Sequence, residues 1–211
     1  MNPEHSKPLQ GPTGDTPERD LADRTIRLKT PKNPARRWVH RVGDAAEAFV
    51  ASRSVHPDRL VYPNEWFPWT AELEAGWRDI RAELDALLER RSAMAGFHDI
   101  LAPVATITRD QQWKTFFRQG PGMDCADNRA LCPRTSRLLE RIPDLQTAMF
   151  SILSPGKHIP PHRGAYNGLL RYHLGLKVPE PADRCRIRIG NDWYSWSEGG
   201  SLVFDDTFNH E

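Results

Sequence analysis

Histidines and arginines are dense in HIPPHRGAYNGLLRYHLGLKV, residues 158–178. Two chemistries use such groups: coordination of a metal by imidazole nitrogen, and capture of an anion by guanidinium and imidazole. His158 and His162 are four apart, the spacing of a metal pair on a helix, but Pro160 and Pro161 lie between them and forbid that helix. In an extended chain the two rings would stand about 13 Å apart, so at most one of them serves any single ion. His162 is the better candidate, because it opens onto the turn HRG. His210, in FDDTFNHE, ends a strand-like run and can come from a neighbouring strand. Taken singly each is an ordinary histidine; the pair matters only if the fold brings it together.

Alternation along GLLRYHLGLKV puts Leu170, Tyr172, Leu174, Leu176 and Val178 on one face and Arg171, His173, Gly175 and Lys177 on the other. On a central strand with both faces covered, Arg171 and His173 require an anionic partner. On an edge strand they are a solvated polar face. Parity alone leaves both readings open.

These residues need elements to hold them. After Pro143, short apolar and β-branched runs are cut by Gly, Pro, Asn and Asp, and predict strands near 146–153, 168–178, 185–189, 193–196 and 201–205. GND (190–192) and EGG (198–200) are turn signals between them. No helical stretch interrupts this part, so antiparallel pairing is expected. Upstream, TAELEAGWRDIRAELDALLERR carries Leu73, Trp77, Ile80, Leu84, Leu87 and Leu88 at helical spacing. It predicts one long helix with Thr70 as N-cap, Glu72 and Glu74 in the first turn, and Arg90 and Arg91 in the last. A shorter helix is expected over 134–141, stopped by Pro143. A helical layer against a small β-sandwich or jelly roll fits this order best.

Composition narrows the setting. The chain has 211 residues with 29 Lys+Arg against 28 Asp+Glu, so no global field points to nucleic acid. The amino terminus has no apolar signal region and no stretch is long enough to span a bilayer, so a soluble, cytoplasmic protein is expected. Residues 1–36 are rich in Pro, Gly, Thr and charge and read as a flexible tail. Its end merges into the basic run Lys29, Lys32, Arg36, Arg37 and Arg41, which reads as a solvated linker, with contact to an anionic surface as the sharper alternative. Residues 37–211 form the expected domain, 37–142 as mostly helical or loop support and 143–211 as the β core. Cys125, Cys132 and Cys185 form no CxxC, and without a secretion signal reduced thiols are the default.

SILSPGKHIPPHRGAYNGLLRYHLGLKVP, followed by Cys185, Trp196, EGG and FDDTFNHE, resembles the aspartyl/asparaginyl β-hydroxylases. These are iron(II)/2-oxoglutarate dioxygenases on a double-stranded β-helix, the distorted, cupin-like jelly roll. The resemblance is dense over 143–211, where several separated motifs occur in order. It extends more loosely back through QQWKTFF (111–117) and the Cys125/Cys132 stretch, and leaves out about the first 60 residues. It implies a mainly β fold with flanking helices, His162 and His210 as iron ligands, and Gly164 where most of the superfamily has a carboxylate. It also implies Asp206 as the acid that holds a water at the open position, Ser151, Arg171 and His173 as 2-oxoglutarate contacts, and Trp113 near the cofactor. Cys125 and Cys132 resemble a cysteine pair of lumenal members.

The reaction so implied is hydroxylation of an unactivated C–H bond, most directly the β-carbon of an Asp or Asn in a peptide, a protein or a carrier-bound amino acid. Hydroxylation of a lipid A acyl chain at its second carbon is the close variant. The family continues past the second histidine into a strand bearing an arginine that clamps 2-oxoglutarate, whereas this sequence ends at Glu211. The jelly roll is therefore expected to lack its last strand, and the 211-residue form to be weak or inactive. A ligand-binding jelly roll without turnover is one rival. A metal-free structural sandwich is another, and it requires His162 and His210 to be far apart.

Overall fold

The computed structural model describes residues 52–89, 91–100, 107–164 and 168–211, together with Phe49 and the backbone of Lys7–Pro8. The basic run at 29–41 and all of the expected tail except Lys7–Pro8 lie outside the described residues. Lys7–Pro8 is a two-residue strand, β1.

The predicted long helix is two helices, α1 (Trp69–Ala75) and α2 (Trp77–Leu88). The break is at Gly76, where an added Cβ would come within 2.6 Å of Leu138 Cδ1. The helix carrying Leu138, α5 (Pro133–Leu139), crosses there, and packing outweighs the continuous periodicity of the sequence. Thr70 is not the N-cap: it lies inside α1, which starts one residue earlier, and its buried hydroxyl donates to Phe67 O. The stripe itself is core, with Leu73, Ile80, Leu84 and Leu87 all buried, each contributing roughly 1.5–3 kcal/mol. Two more short α-helices lie among the described residues, α3 (Phe97–Ile100) and α4 (Ala126–Leu131).

The support region also holds strands that periodicity did not reveal: β2 (Val61–Tyr62) and β3 (Trp113–Gln119). β3 pairs antiparallel with β4 (Ala148–Leu153) as a two-stranded sheet. A second sheet has the order β2–β8–β5, with β5 at Arg171–Leu174 and β8 at Ser201–Phe204, all antiparallel. The third is β1–β7–β6, in which β6 (Arg186–Ile189) and β7 (Asp192–Ser195) form a hairpin and β1 runs parallel to β7. Gly190 opens that hairpin's two-residue turn at φ 58°. The expected strand 168–178 shrinks to four residues because its partner bends away at the EGG turn, where Gly199 has φ 77°. The protein is thus mixed helix and antiparallel sheet rather than mainly β, and the described strands close no barrel.

Alternation gives each sheet an outer and an inner face. Phe116, Phe150, Ile152 and Leu174 pack in one cluster with Ile80, Leu84 and Leu87 of α2. Tyr172 and Val203 pack on the same outer side, with Tyr62, Phe67 and Trp69. The opposite faces carry Trp113, Thr115 and Ser151 on the first sheet, and Arg171, His173, Leu202 and Phe204 on the second. Leu202 and Phe204 meet Ile187 and Ile189 of the β6–β7 hairpin, so the second and third sheets face each other across a core. Among the described residues no helix is long and apolar enough to cross a membrane.

Candidate functional site: a two-histidine centre

The two histidines singled out from the sequence meet. After β4 the prolines 160 and 161 keep the chain extended, and His162 forms an antiparallel bridge with His210. Each backbone N–H donates to the other's carbonyl, at 2.9 and 3.0 Å. His210 is also bridged to Ile189, and Arg188 and Glu211 exchange backbone hydrogen bonds at 2.9 and 3.1 Å. Residues 209–211 are therefore held on both sides, by His162 and by the end of β6. The imidazole rings lie 4.1 Å apart between centroids. That contact removes the separation of the two histidines that the metal-free sandwich required.

Hydrogen bonding fixes which nitrogens are available. His162 Nδ1 is 2.9 Å from Pro160 O and His210 Nδ1 is 2.9 Å from Phe208 O. A carbonyl only accepts, so each neutral ring carries its proton on Nδ1 and leaves the Nε2 lone pair bare. Burial lowers both pKa values, that of His210 to about 4, with the neighbouring imidazole adding to the effect. Both rings are thus neutral near pH 7, as coordination requires. Among the described residues no three His, Cys, Asp or Glu side chains cluster to hold a metal. The donor set is two imidazoles, which suits iron, zinc, copper or nickel with the remaining positions left to water or a chelating ligand. His158 is exposed and pairs with Glu211 Oε2 at 3.0 Å, so it takes no part in the pair.

Asp206 comes from the tight turn after β8, where Asp205 Oδ1 accepts from the N–H and hydroxyl of Thr207. Its carboxylate is buried beside Gly164, in the space a Cβ there would take. Arg171 Nε donates to Asp206 Oδ2 at 2.6 Å. Both readings of the strand are half right: β5 is an edge strand, yet Arg171 has its anionic partner.

His173, on the same face, packs against Phe204 (5.0 Å, edge-on) and Trp196 (5.4 Å). Phe204 in turn touches the His210 ring at 5.8 Å, so one aromatic side chain backs the imidazoles of His173 and His210. His173 is crowded yet still open to solvent, as at the wall of a cleft. Desolvation, then the Arg171 charge and the His210 ring, lowers its pKa to about 3.

Trp113 and Ser151 stand on the β3–β4 sheet, where Trp113 Nε1 donates to Ser151 Oγ at 2.9 Å. Trp113 also packs edge-on against Phe97 at 4.6 Å. The structure joins these two to each other and packs Trp113 with Phe97, Phe117 and Cys125; the direct cluster is His162, His210, Asp206, Arg171 and His173. Sequence reasoning missed Phe204, a core residue of the apolar run SLVF that also touches two of the clustered histidines.

The profile of the family described as Aspartyl/Asparaginyl beta-hydroxylase matches residues 74–211. The chain belongs to this family. It is 51% identical over 151 residues to the ornithine lipid ester-linked acyl 2-hydroxylase of Rhizobium tropici, covering 72% of this chain and 54% of that protein. It is 34% identical over 146 residues to human aspartyl/asparaginyl beta-hydroxylase, covering 66% of this chain and 18% of that protein. To human aspartate beta-hydroxylase domain-containing protein 2 it is 38% identical over 109 residues, or 49% of this chain and 29% of the relative. The chain therefore spans about half the length of one of these hydroxylase relatives and less of the other two. The matched region contains every residue of the histidine cluster and both Trp113 and Ser151. Cys125 and Cys132, the pair that resembles a lumenal one, are free thiols buried in separate clusters.

Proposed function

We propose that this hydroxylase-family chain is an iron(II)- and 2-oxoglutarate-dependent oxygenase that hydroxylates the carbon next to a carbonyl group, acting on a lipid-linked acyl chain. The observation that carries the reading is the His162/His210 pair with both Nε2 atoms bare and both Nδ1 atoms engaged. A double-stranded β-helix belongs to the same proposal, supported by the facing second and third sheets, which are antiparallel apart from the β1–β7 pair.

His162 and His210 would hold the iron. The chemistry an iron(II)–2-oxoglutarate pair supplies is insertion of one atom of O2 into a C–H bond, balanced by decarboxylation of 2-oxoglutarate to succinate and CO2. The protein's own contribution is placement and charge. The carbonyls of Pro160 and Phe208 fix both ring orientations. Arg171 supplies a guanidinium of which Nε is committed to Asp206, leaving its terminal nitrogens to orient a carboxylate. Ser151, its oxygen already receiving the Trp113 proton, has its own hydroxyl hydrogen free to donate. His173 walls the site, Phe204 packs behind the rings of His173 and His210, and Asp206 would hold a water at the open position through the oxygen not paired with Arg171.

The two substrate classes of the relatives share one feature. The β-carbon of aspartate is adjacent to its side-chain carboxyl, as carbon 2 of an acyl group is adjacent to its ester carbonyl, so one site geometry serves both. The acyl reading is favoured by the 51% identity and by exposed leucines beside the site residues. Leu153, two residues past Ser151, is 45% exposed, and Leu169 and Leu170, just before Arg171, are 37% and 38% exposed. An Asp or Asn side chain has no use for such a rim, whereas an acyl chain gains roughly 0.8 kcal/mol for each methylene it buries.

The test is anaerobic loading with Fe(II) and 2-oxoglutarate, then addition of O2 with ornithine lipid in mixed micelles or with an Asp-containing peptide. A 16 Da gain on the ester-linked acyl chain, stoichiometric succinate, and loss of both in His162→Ala are expected. Oxidation of the peptide alone would transfer the assignment to the second class, and oxidation of neither would remove the proposal.

A further inference from the structure

Thr115 is 3% exposed and its hydroxyl has no hydrogen-bond partner among the described residues. A buried orphan hydroxyl is costly, and valine would fill the same volume on a strand without that cost. Thr115 sits in register directly opposite Ser151 in the β3–β4 ladder, so the two side chains rise from the same inner face. Directly opposed residues have Cβ atoms about 4.5–5.5 Å apart, and a rotation about one χ1 brings two hydroxyls into hydrogen-bond range.

Ser151 has a place for it. Its oxygen carries two lone pairs, of which the Trp113 indole N–H occupies one. A hydroxyl that accepts two hydrogen bonds is polarised into a stronger donor through its own hydrogen. We propose that Thr115 is a positioning residue of the cofactor site: when 2-oxoglutarate binds, its hydroxyl donates to Ser151 Oγ and so aims the Ser151 hydroxyl at a cofactor carboxylate. This rests on the cofactor reading given above. Trp113, Thr115 and Ser151 then act as a unit, two donors converging on one oxygen.

The test uses Thr115→Val and Thr115→Ser in the full chain, with 2-oxoglutarate titrated calorimetrically into the Mn(II)-loaded protein and the melting temperature measured without ligand. Thr115→Val is expected to weaken 2-oxoglutarate binding by about tenfold, the worth of one neutral hydrogen bond, and to leave the ligand-free melting temperature unchanged or higher. Thr115→Ser keeps the donor and is expected to bind within about twofold of wild type. Unchanged affinity in Thr115→Val would overturn the inference. So would a joint fall of affinity and melting temperature in both variants, which would mark the hydroxyl as structural. A wild-type protein that binds no 2-oxoglutarate would overturn the cofactor reading, and this inference with it.

Discussion

The carboxylate of Asp206 occupies the space that a side chain at residue 164 would need, and Gly164 is what allows it to lie there. On one side the Gly164 N–H donates to the Asp206 carbonyl at 2.6 Å; on the other, Arg171 Nε reaches the carboxylate at 2.6 Å. Asp206 is thus locked between a backbone with no Cβ and a cation on the neighbouring strand. Gly164→Ala is expected to evict a buried, ion-paired carboxylate and to cost about 2–4 kcal/mol in a urea titration. Adding Asp206→Ala removes the clash, so the double variant should be more stable than the sum of the two single losses predicts.

Metal binding should follow the histidine pair and ignore its neighbour in sequence. Fe(II) or Zn(II) at a hundredfold excess over the dissociation constant should stabilise the folded state by about 2.7 kcal/mol, a shift of several degrees in thermal unfolding. His162→Ala and His210→Ala should each abolish that shift. His158→Ala, which removes only an exposed contact to Glu211, should retain it.

Arg171 is half-exposed, but its partner Asp206 is not. Arg171→Ala leaves a buried carboxylate with its cation gone and should cost about 1–3 kcal/mol in chemical denaturation. The same substitution should weaken 2-oxoglutarate binding by at least tenfold. Arg171→Lys keeps the charge but not the fixed fork, so it should recover more of the stability than of the cofactor affinity.

The three thiols should react in an order set by burial. Burial raises the pKa of Cys185 and Cys132 above the ordinary thiol value, and the thiolate is the nucleophile. Alkylation of native protein should therefore be slow near pH 7 and still be accelerating as the pH rises beyond the ordinary thiol range. Cys185, only partly buried, should label first, and Cys125 and Cys132 only on unfolding. Peptide mapping that finds Cys125 and Cys132 linked, lighter by two hydrogens, would contradict free thiols.

At Gly76, alanine is the better helix former by about 1 kcal/mol, yet its Cβ would meet Leu138. Gly76→Ala should lower the melting temperature by a few degrees, and Leu138→Ala in the same chain should cost less than it does alone.

Local pattern determined much of this protein. Alternation along 170–174 correctly paired Arg171 with His173 on one face, because a strand has a strict two-residue period. Pro160 and Pro161 excluded a helical His158/His162 pair, because proline cannot donate to a helix. The apolar stripe from Leu73 to Leu87 is core, as its spacing implied. Tertiary contact decided the rest. One helix became two because α5 needs to approach at Gly76, and nothing in the periodicity of α1 and α2 records a helix some sixty residues later. β3 stayed hidden because WKTFFRQ buries residues on both faces and shows no clean alternation. The meeting of His162 with His210, the seat of Asp206 against Gly164, and the placing of Thr115 opposite Ser151 all depend on strand register. Register is fixed by how whole faces pack, and a single sequence carries residue types and local spacing but not the pairing of distant strands.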